Sequence, residues 1–318
     1  MDVRKEVLAA EKRIKKYIRE TPLEFSPYLS DLCKCNVFLK LENLQLTGSF
    51  KIRGAFNKLL SLSKKQKENG VITASTGNHA LGVAYALKKL GYKGTIYLPT
   101  NASKAKIEAL SYYDVPLKYH STDCVETEVF ARKVAEENNL VFVSPYNDPQ
   151  IIGGQGTIAA ELVRQLEKID YVLVPIGGGG LISGIAGFLK IKDKNIKIIG
   201  CMPKNSPVMS ESIKADKIIN MKTKPTLSDG TAGGIEPDAI TFDICKKYVD
   251  DYILVTENEI KKAIKLVLEK HHLVIEGSAG VTVASFLKER RRFKGKNIVL
   301  IICGQNISMD KLKQILCE

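Results

Sequence analysis

The sequence predicts an α/β protein of two domains, each a mostly parallel sheet covered by helices. Short apolar runs such as 71–74, 95–98, 171–175 and 298–302 alternate with stretches in which apolar residues recur at helical spacing. That alternation builds parallel strands joined by crossover helices. The turns after three of these runs are rich in glycine, serine and asparagine, which is where folds of this class bind ligands. With 318 residues, 44% of them hydrophobic and 26% charged, the chain can bury one large core or two smaller ones.

Taken in order, residues 3–20 read as a helix with Val3, Val7, Leu8, Ile14 and Ile18 inward, ended by Thr21 and Pro22. A strand over 37–41 runs into Gly48 and Ser49, residues of turn and N-cap type. Ile52, Ala55, Phe56, Leu59 and Leu60 then recur at helical spacing. Strand 71–74 feeds a helix around 83–90 that Gly91 closes. Residues 95–98 lead to a helix from Ser103, residues 117–119 to another from about Val125, and 140–143 end this group. The segment 145–156, rich in Pro, Asn and Gly, is expected to be a crossing between domains, followed by a helix over 157–166 and a buried strand over 171–175. After a strand at 196–200, the stretch 222–240 shows little periodicity and reads as a functional loop. A strand at 253–255, helices at 257–270 and 278–288 and a strand at 298–302 complete the chain.

Composition narrows the function. The formal charge is +13, but the basic residues are spread along helices and mixed with acids, as in Glu289-Arg290-Arg291-Arg292. Nucleic acid is therefore not expected as a partner, and an anionic ligand suits the charge. The charged start Met1-Asp2-Val3-Arg4-Lys5-Glu6 and the lack of an apolar run of about 18 residues argue against a membrane partner and for a cytoplasmic location. Seven scattered cysteines, an odd number, suit reduced thiols better than a disulfide framework. His271 and His272, adjacent on a helix, point to different faces and are expected at the surface.

Three strand-to-helix turns and one lysine carry the chemistry. Lys51, after Gly48-Ser49-Phe50, falls in the first turn of a helix, where the positive helix end and burial under Phe50 disfavour its ammonium form. A lysine partly neutral near neutral pH can attack a carbonyl or carry an imine. The run Gly177-Gly178-Gly179-Gly180-Leu181, between a strand and a helix, lets successive backbone N–H groups converge on a phosphate. It lacks the Gly-Lys-Ser/Thr of a nucleotide-phosphate loop and the spacing of a dinucleotide fingerprint. The loop Ser75-Thr76-Gly77-Asn78-His79 can hold a carboxylate through amides and hydroxyls, with Asn78 able to reach a ring hydroxyl. Cys303, in Cys303-Gly304-Gln305-Asn306 at the end of the last strand, offers a weak S–H donor toward a ring nitrogen. An imine-forming lysine, a phosphate cradle, an asparagine and a neutral donor together describe a site for pyridoxal 5'-phosphate.

Through Ser49-Phe50-Lys51-Ile52-Arg53-Gly54-Ala55, Ser75-Thr76-Gly77-Asn78-His79, the tetraglycine run and Cys303-Gly304-Gln305-Asn306, the chain resembles the fold type II pyridoxal-phosphate enzymes of the serine/threonine dehydratase and serine racemase group. The resemblance runs from about residue 20 to the C-terminus. It implies a tryptophan synthase β-like fold, with residues 1–68 and 147–318 forming a large cofactor-binding domain and 69–146 a small one. It implies that Lys51 holds the cofactor as a Schiff base, that Phe50 packs on the ring and Asn78 contacts the ring hydroxyl, that Gly177, Gly178, Gly179, Gly180 and Leu181 hold the phosphate, and that Cys303 faces the ring nitrogen. Lys51 and Thr76 are the implied catalytic pair, and Ser75, Thr76, Asn78 and His79 the implied substrate contacts. The implied activity is an ammonia-lyase converting L-threonine or L-serine to a 2-oxo acid and ammonia. Serine racemisation, or dehydration of another hydroxy amino acid such as 3-hydroxyaspartate, is the alternative. Racemase relatives build a metal site from carboxylates where this chain has Met202 and Val208, so no metal is expected there. A homo-oligomer, dimer or tetramer, is the expected assembly.

Overall fold

The computed structural model describes residues 1–317. Helix α1 (Val3–Ile14) starts where Asp2 accepts from the Lys5 N–H, and it buries Val3, Val7, Ala10 and Ile14. It ends short of the expected residue 20: the Tyr17 N–H turns back to the Ile14 carbonyl at 2.8 Å, and the Tyr17 ring stacks on Phe56 with ring centroids 5.1 Å apart. Leu8, expected inward, is exposed. Strand β1 (Leu23–Phe25), helix α2 (Pro27–Cys33) and strand β2 (Asn36–Lys40) follow, then α3 (Lys51–Ser61) and α4 (Lys64–Asn69).

A run of parallel crossovers comes next. It comprises β3 (Val71–Ala74), α5 (Asn78–Leu90), β4 (Gly94–Leu98), α6 (Lys104–Ser111), β5 (Leu117–Tyr119), α7 (Cys124–Glu137) and β6 (Val141–Phe142). Gly91 closes α5 in the left-handed region at φ +67, as expected. These strands form a four-stranded sheet in the order β5-β4-β3-β6, with every pair parallel.

The chain then passes through α8 (Pro149–Gln165), β7 (Tyr171–Pro175), α9 (Gly180–Lys192), β8 (Lys197–Pro203), α10 (Val208–Lys214), α11 (Ile240–Tyr248), β9 (Asp251–Val255), α12 (Glu257–His271), α13 (Gly277–Lys288), β10 (Asn297–Ile301) and α14 (Met309–Cys317). Their strands join β1 and β2 in a six-stranded sheet of order β1-β2-β10-β7-β8-β9. Only the short edge strand β1 runs antiparallel. The main core packs on this sheet and includes Val37, Leu39, Val172, Leu173, Ile198, Ile199 and Val299.

One segment departs from its composition. Residues 149–156, expected as an irregular crossing, are the first two turns of α8, capped by Asp148 on the Gln150 and Ile151 N–H groups. Their glycines are contact residues. A Cβ on Gly154 would lie 2.6 Å from the Gly54 Cα, and one on Gly156 would strike the Val7 side chain and lie 2.9 Å from the Gly184 carbonyl. Helices α1, α3, α8 and α9 close to backbone distance there, so the usual helix penalty of glycine is outweighed by packing.

Candidate active site

Strands β2, β10 and β7 are neighbours in the large sheet, and three of the motifs leave their carboxyl ends. Register alone therefore brings them together. The Phe50 N–H donates to the Cys303 carbonyl at 3.1 Å, the Gln305 N–H to Gly48 at 2.9 Å, and Ser49 bridges Gly304. Gly48, at φ +69, makes the turn between them.

Lys51 is the first residue of α3. The helix is capped by Phe50 rather than Ser49, and its N-cap side chain makes no capping bond; the Gly54 N–H donates instead to the Gln155 Oε1 at 3.2 Å, and the Ser49 hydroxyl is buried without a hydrogen-bond partner. The Lys51 Nζ donates to the Pro145 carbonyl at 2.8 Å and stands 5.3 Å from the centre of the Phe50 ring. Burial brings its pKa down to about 8, with Cys303 and Glu276 acting in the opposite sense. Desolvation does most of the work that the sequence assigned in part to the helix end.

The residue after Pro145 lies over the glycine run. A Cβ on Gly178 would sit 2.4 Å from the Tyr146 ring, one on Gly180 3.0 Å from the Tyr146 Cα, and one on Gly177 2.9 Å from the Thr231 Cα. Gly179 alone has a positive φ, +88. All four glycines are thus closely packed, and Gly179, whose Cβ would lie 2.9 Å from the Met209 Cε and 3.0 Å from the Thr241 Cβ, is required by backbone conformation as well, which the sequence did not reveal. Helix α9, which they open, has no side-chain cap, and an uncapped helix N-terminus is an anion-binding end.

The third turn, after β3, comes from the small sheet. Ser75 accepts from the Gly77 N–H at 3.2 Å, and the Thr76 hydroxyl lies 3.5 Å from the exposed Lys106 ammonium. The Asn78 Nδ2 donates to both oxygens of Glu276, at 3.0 and 2.9 Å, while its Oδ1 accepts from Asn306 at 2.6 Å. His79 is a correction to the expected substrate contacts. Its ring is buried, with Nε2 3.0 Å from the Val143 carbonyl, and burial brings its pKa down to about 3. A neutral ring that donates to that carbonyl braces the loop instead of facing a substrate.

Two features were missed. Glu276, just before α13, is buried and has its pKa raised to about 7, first by burial and also by Asp229. It stands at the N-cap of α13 without capping it; a glutamate there, where serine or aspartate would serve better, was the available signal. Arg53, in the lysine motif, is fully buried: it donates to Glu42 at 2.7 Å and to Glu161 at 2.5 Å, and Lys40 joins Glu161 at 2.5 Å. His271, expected at the surface, is half-buried with Nε2 3.3 Å from the Ser26 hydroxyl.

A half-buried amine with its pKa brought down to about 8, an uncapped glycine-lined helix end, and an amide and thiol at neighbouring loop ends fit a phosphorylated aldehyde on a nitrogen ring. Residues 14–304 match the family model described as "Pyridoxal-phosphate dependent enzyme". The chain is 39% identical over 311 residues to the L-threonine ammonia-lyase of Thermotoga maritima, covering 98% of this chain and 77% of that protein. Among solved structures, the processed form of threonine deaminase isoform 2 from Solanum lycopersicum aligns with a TM-score of 0.93 at 35% identity, over 99% of this chain and 91% of that one. Maize serine racemase aligns with a TM-score of 0.92 at 32% identity, over 98% and 95%.

Proposed function

The chain belongs to the pyridoxal-phosphate dependent enzyme family, and from that premise we propose that it is a hydroxy-amino-acid ammonia-lyase. It converts L-threonine, and by our reading L-serine also, to a 2-oxo acid and ammonia. The cofactor is pyridoxal 5'-phosphate, and the fold is that of the fold type II enzymes. The observation that carries the reading is Lys51: an amine with its pKa brought down to about 8, 2.8 Å from Pro145, beside an uncapped glycine-lined helix end.

When bound, the cofactor supplies an aldehyde that condenses with amines and a ring that withdraws electrons from the carbon beside the substrate nitrogen. The chain's own residues do the rest. The Lys51 Nζ is held where it can take up or release a proton near neutral pH, as a base for a substrate α-proton must. The first-turn N–H groups of α9, opened by Gly177, Gly178, Gly179 and Gly180 and continued by Leu181, bind the phosphate. Ser75, Thr76 and the backbone around them orient the substrate carboxylate, and the Lys106 ammonium 3.5 Å from Thr76 Oγ1 favours that hydroxyl as a proton donor. With the cofactor bound, Phe50 would wall its ring, and Asn78 and Cys303 would supply an amide and a thiol to the ring's polar edge.

We place the large domain at 1–68 and 147–318 and the small one at 69–146, supported by the passage of the chain from the small sheet to α8 after β6. Free cysteines, two of them exposed, support a reducing cytoplasm. The test is an assay of ammonia and 2-oxo acid with L-threonine, L-serine and 3-hydroxyaspartate, alongside D-serine formation. Wild type is expected to release 2-oxobutanoate from L-threonine. Lys51→Ala is expected to lose both that activity and the visible absorption of covalently held cofactor. Activity retained in Lys51→Ala, or racemisation outrunning elimination, sinks the reading.

A further inference from the structure

The carboxyl of Glu276 joins two groups that the functional reading keeps separate. Its Oε1 and Oε2 accept from the Asn78 Nδ2 at 3.0 and 2.9 Å, and its Oε1 lies 3.8 Å from the Cys303 Sγ. Its place is built. The Glu276 N–H donates to the Gly304 carbonyl at 3.1 Å, and a Cβ on Gly304 would come within 2.8 Å of the carboxyl carbon. The Asn78 amide cannot turn away, because Asn306 holds its Oδ1 at 2.6 Å and the Thr47 carbonyl at 2.9 Å. Burial and the adjacent carboxyl push the Cys303 thiol well above its ordinary range, so the sulfur keeps its proton.

A thiol has one proton to donate. An ionised Glu276 is an acceptor only, so the S–H of Cys303 turns toward Oε1 and the sulfur offers lone pairs elsewhere. A protonated Glu276 can donate its own O–H to the sulfur and release the S–H. We propose that Glu276 is a positioning residue that sets which way Cys303 directs its proton: toward Glu276 when the carboxyl is ionised, and toward the cofactor's ring nitrogen when it is protonated. Cys303 is then a donor or an acceptor for that nitrogen according to pH, and the electron-withdrawing strength of the ring follows. Only this last step rests on the cofactor reading; the coupling of carboxyl and thiol belongs to the chain itself.

The titratable groups facing Glu276 are Cys303 at the end of β10, Lys51 on α3, and Asp229 from the 222–240 loop, itself paired with Lys311 of α14 at 2.8 Å. Burial first, with the charge of Asp229 acting in the same sense and the hydrogen bonds from Asn78, Asn306 and Cys303 against it, places the carboxyl's titration at about 7, where the switch can operate.

The S–H stretch of Cys303 is measured by infrared spectroscopy as the difference between wild type and Cys303→Ser. It is followed between pH about 5.5 and about 8.5, since hydrogen bonding to a carboxylate weakens the bond. Apo-protein and holoenzyme are both examined. The band is expected to move to lower frequency as pH rises in wild type and to stay fixed in Glu276→Gln. Asp229→Asn, which keeps the carboxyl and removes a charge that raises its pKa, is expected to move the midpoint to lower pH, and it serves should Glu276→Gln not fold. A band insensitive to pH in wild type, or an unchanged shift in Glu276→Gln, overturns the proposal. In the holoenzyme, the shift of an isotopically labelled ring nitrogen is expected to follow the same midpoint. Apo-protein that shows the thiol shift but takes up no pyridoxal phosphate overturns the functional reading and leaves the coupling standing.

Discussion

Arg53, in the same helical turn as Lys51, is fully buried with Lys40 among the carboxylates of Glu42 and Glu161. Two cations balance two anions, and removing one leaves uncompensated charge in the core. Arg53→Met is expected to lower unfolding free energy by about 3–5 kcal/mol, and adding Glu42→Gln to recover part of it, as read by denaturant titration. A recovery of zero would mean the guanidinium acts through packing alone. Glu276 makes a pH prediction of its own. Its folded pKa of about 7 lies above the ordinary 4.5, so between these values the folded state binds more protons than the unfolded one and stability falls as pH rises. His79 has the opposite sign: its folded pKa of about 3 lies below 6.5, so its contribution is lost as pH falls through that window. The excess stability of Glu276→Gln over wild type is therefore expected to grow from pH 4.5 to 7, as read by thermal melts across pH. A constant difference contradicts the raised pKa. Lys51 was legible because its neighbours in sequence define its place. Glu276 was not, because its meaning comes from Asn78, 198 positions away.

At the scale of elements, the tetraglycine turn and the first turns of α8 show what a glycine-rich stretch does and does not disclose. Both were legible as special, but only contacts made by distant chain say why. At 177–180 the neighbours are Tyr146, Thr231 and Met209; at 153–156 they are α1, α3 and α9. Composition alone made the second stretch a loop, whereas backbone-to-backbone packing makes it helix. Strand positions fared better, since buried parallel strands are continuous apolar runs whatever packs on them. Short helices such as α2, α4 and α14 went unread because six to nine residues are too few for a helical period to show. The glycine contacts predict a double-mutant cycle. Gly178→Ala drives a methyl into the Tyr146 ring, so its cost is expected to drop by about 1–3 kcal/mol when Tyr146 is also alanine. Gly179→Ala, strained by its positive φ, is expected to cost about 1–2 kcal/mol whichever residue stands at 146. Equal coupling at both positions, measured by chemical denaturation, contradicts this division.

At the scale of the whole molecule, the small sheet's unit shares a buried apolar cluster with the rest of the chain, where Val71, Val83, Ala86 and Leu87 meet Ile52, Ala55, Phe56 and Leu59, and adds a set of polar contacts near Lys51. Gly82 of α5 packs on the backbone of Lys51 and Ile52, with a Cβ there placed 3.0 Å from the Ile52 nitrogen. On one side of that contact Asn78 reaches Glu276 and Asn306. On another, Arg132 of α7 donates to Glu236 of the long loop at 2.8 Å while lying 4.2 Å over the Phe142 ring. Glu236 is a junction: its other oxygen accepts from Asn147 at 2.8 Å, and its N–H donates to the Tyr146 hydroxyl at 2.8 Å. The loop, the chain segment that enters α8 and α7 are thus tied at one residue, whose partner Tyr146 covers the glycine turn. Partly exposed ion pairs contribute little to global stability, about 0–1 kcal/mol, so this one acts on local opening instead. Arg132→Met is expected to leave the melting temperature nearly unchanged yet to speed amide hydrogen exchange in three places together: the C-terminal half of α7, residues 145–148, and the loop at 231–240. Faster exchange confined to α7 would show that Glu236 holds the loop without help from the small sheet's unit, and the junction would then be two separate contacts.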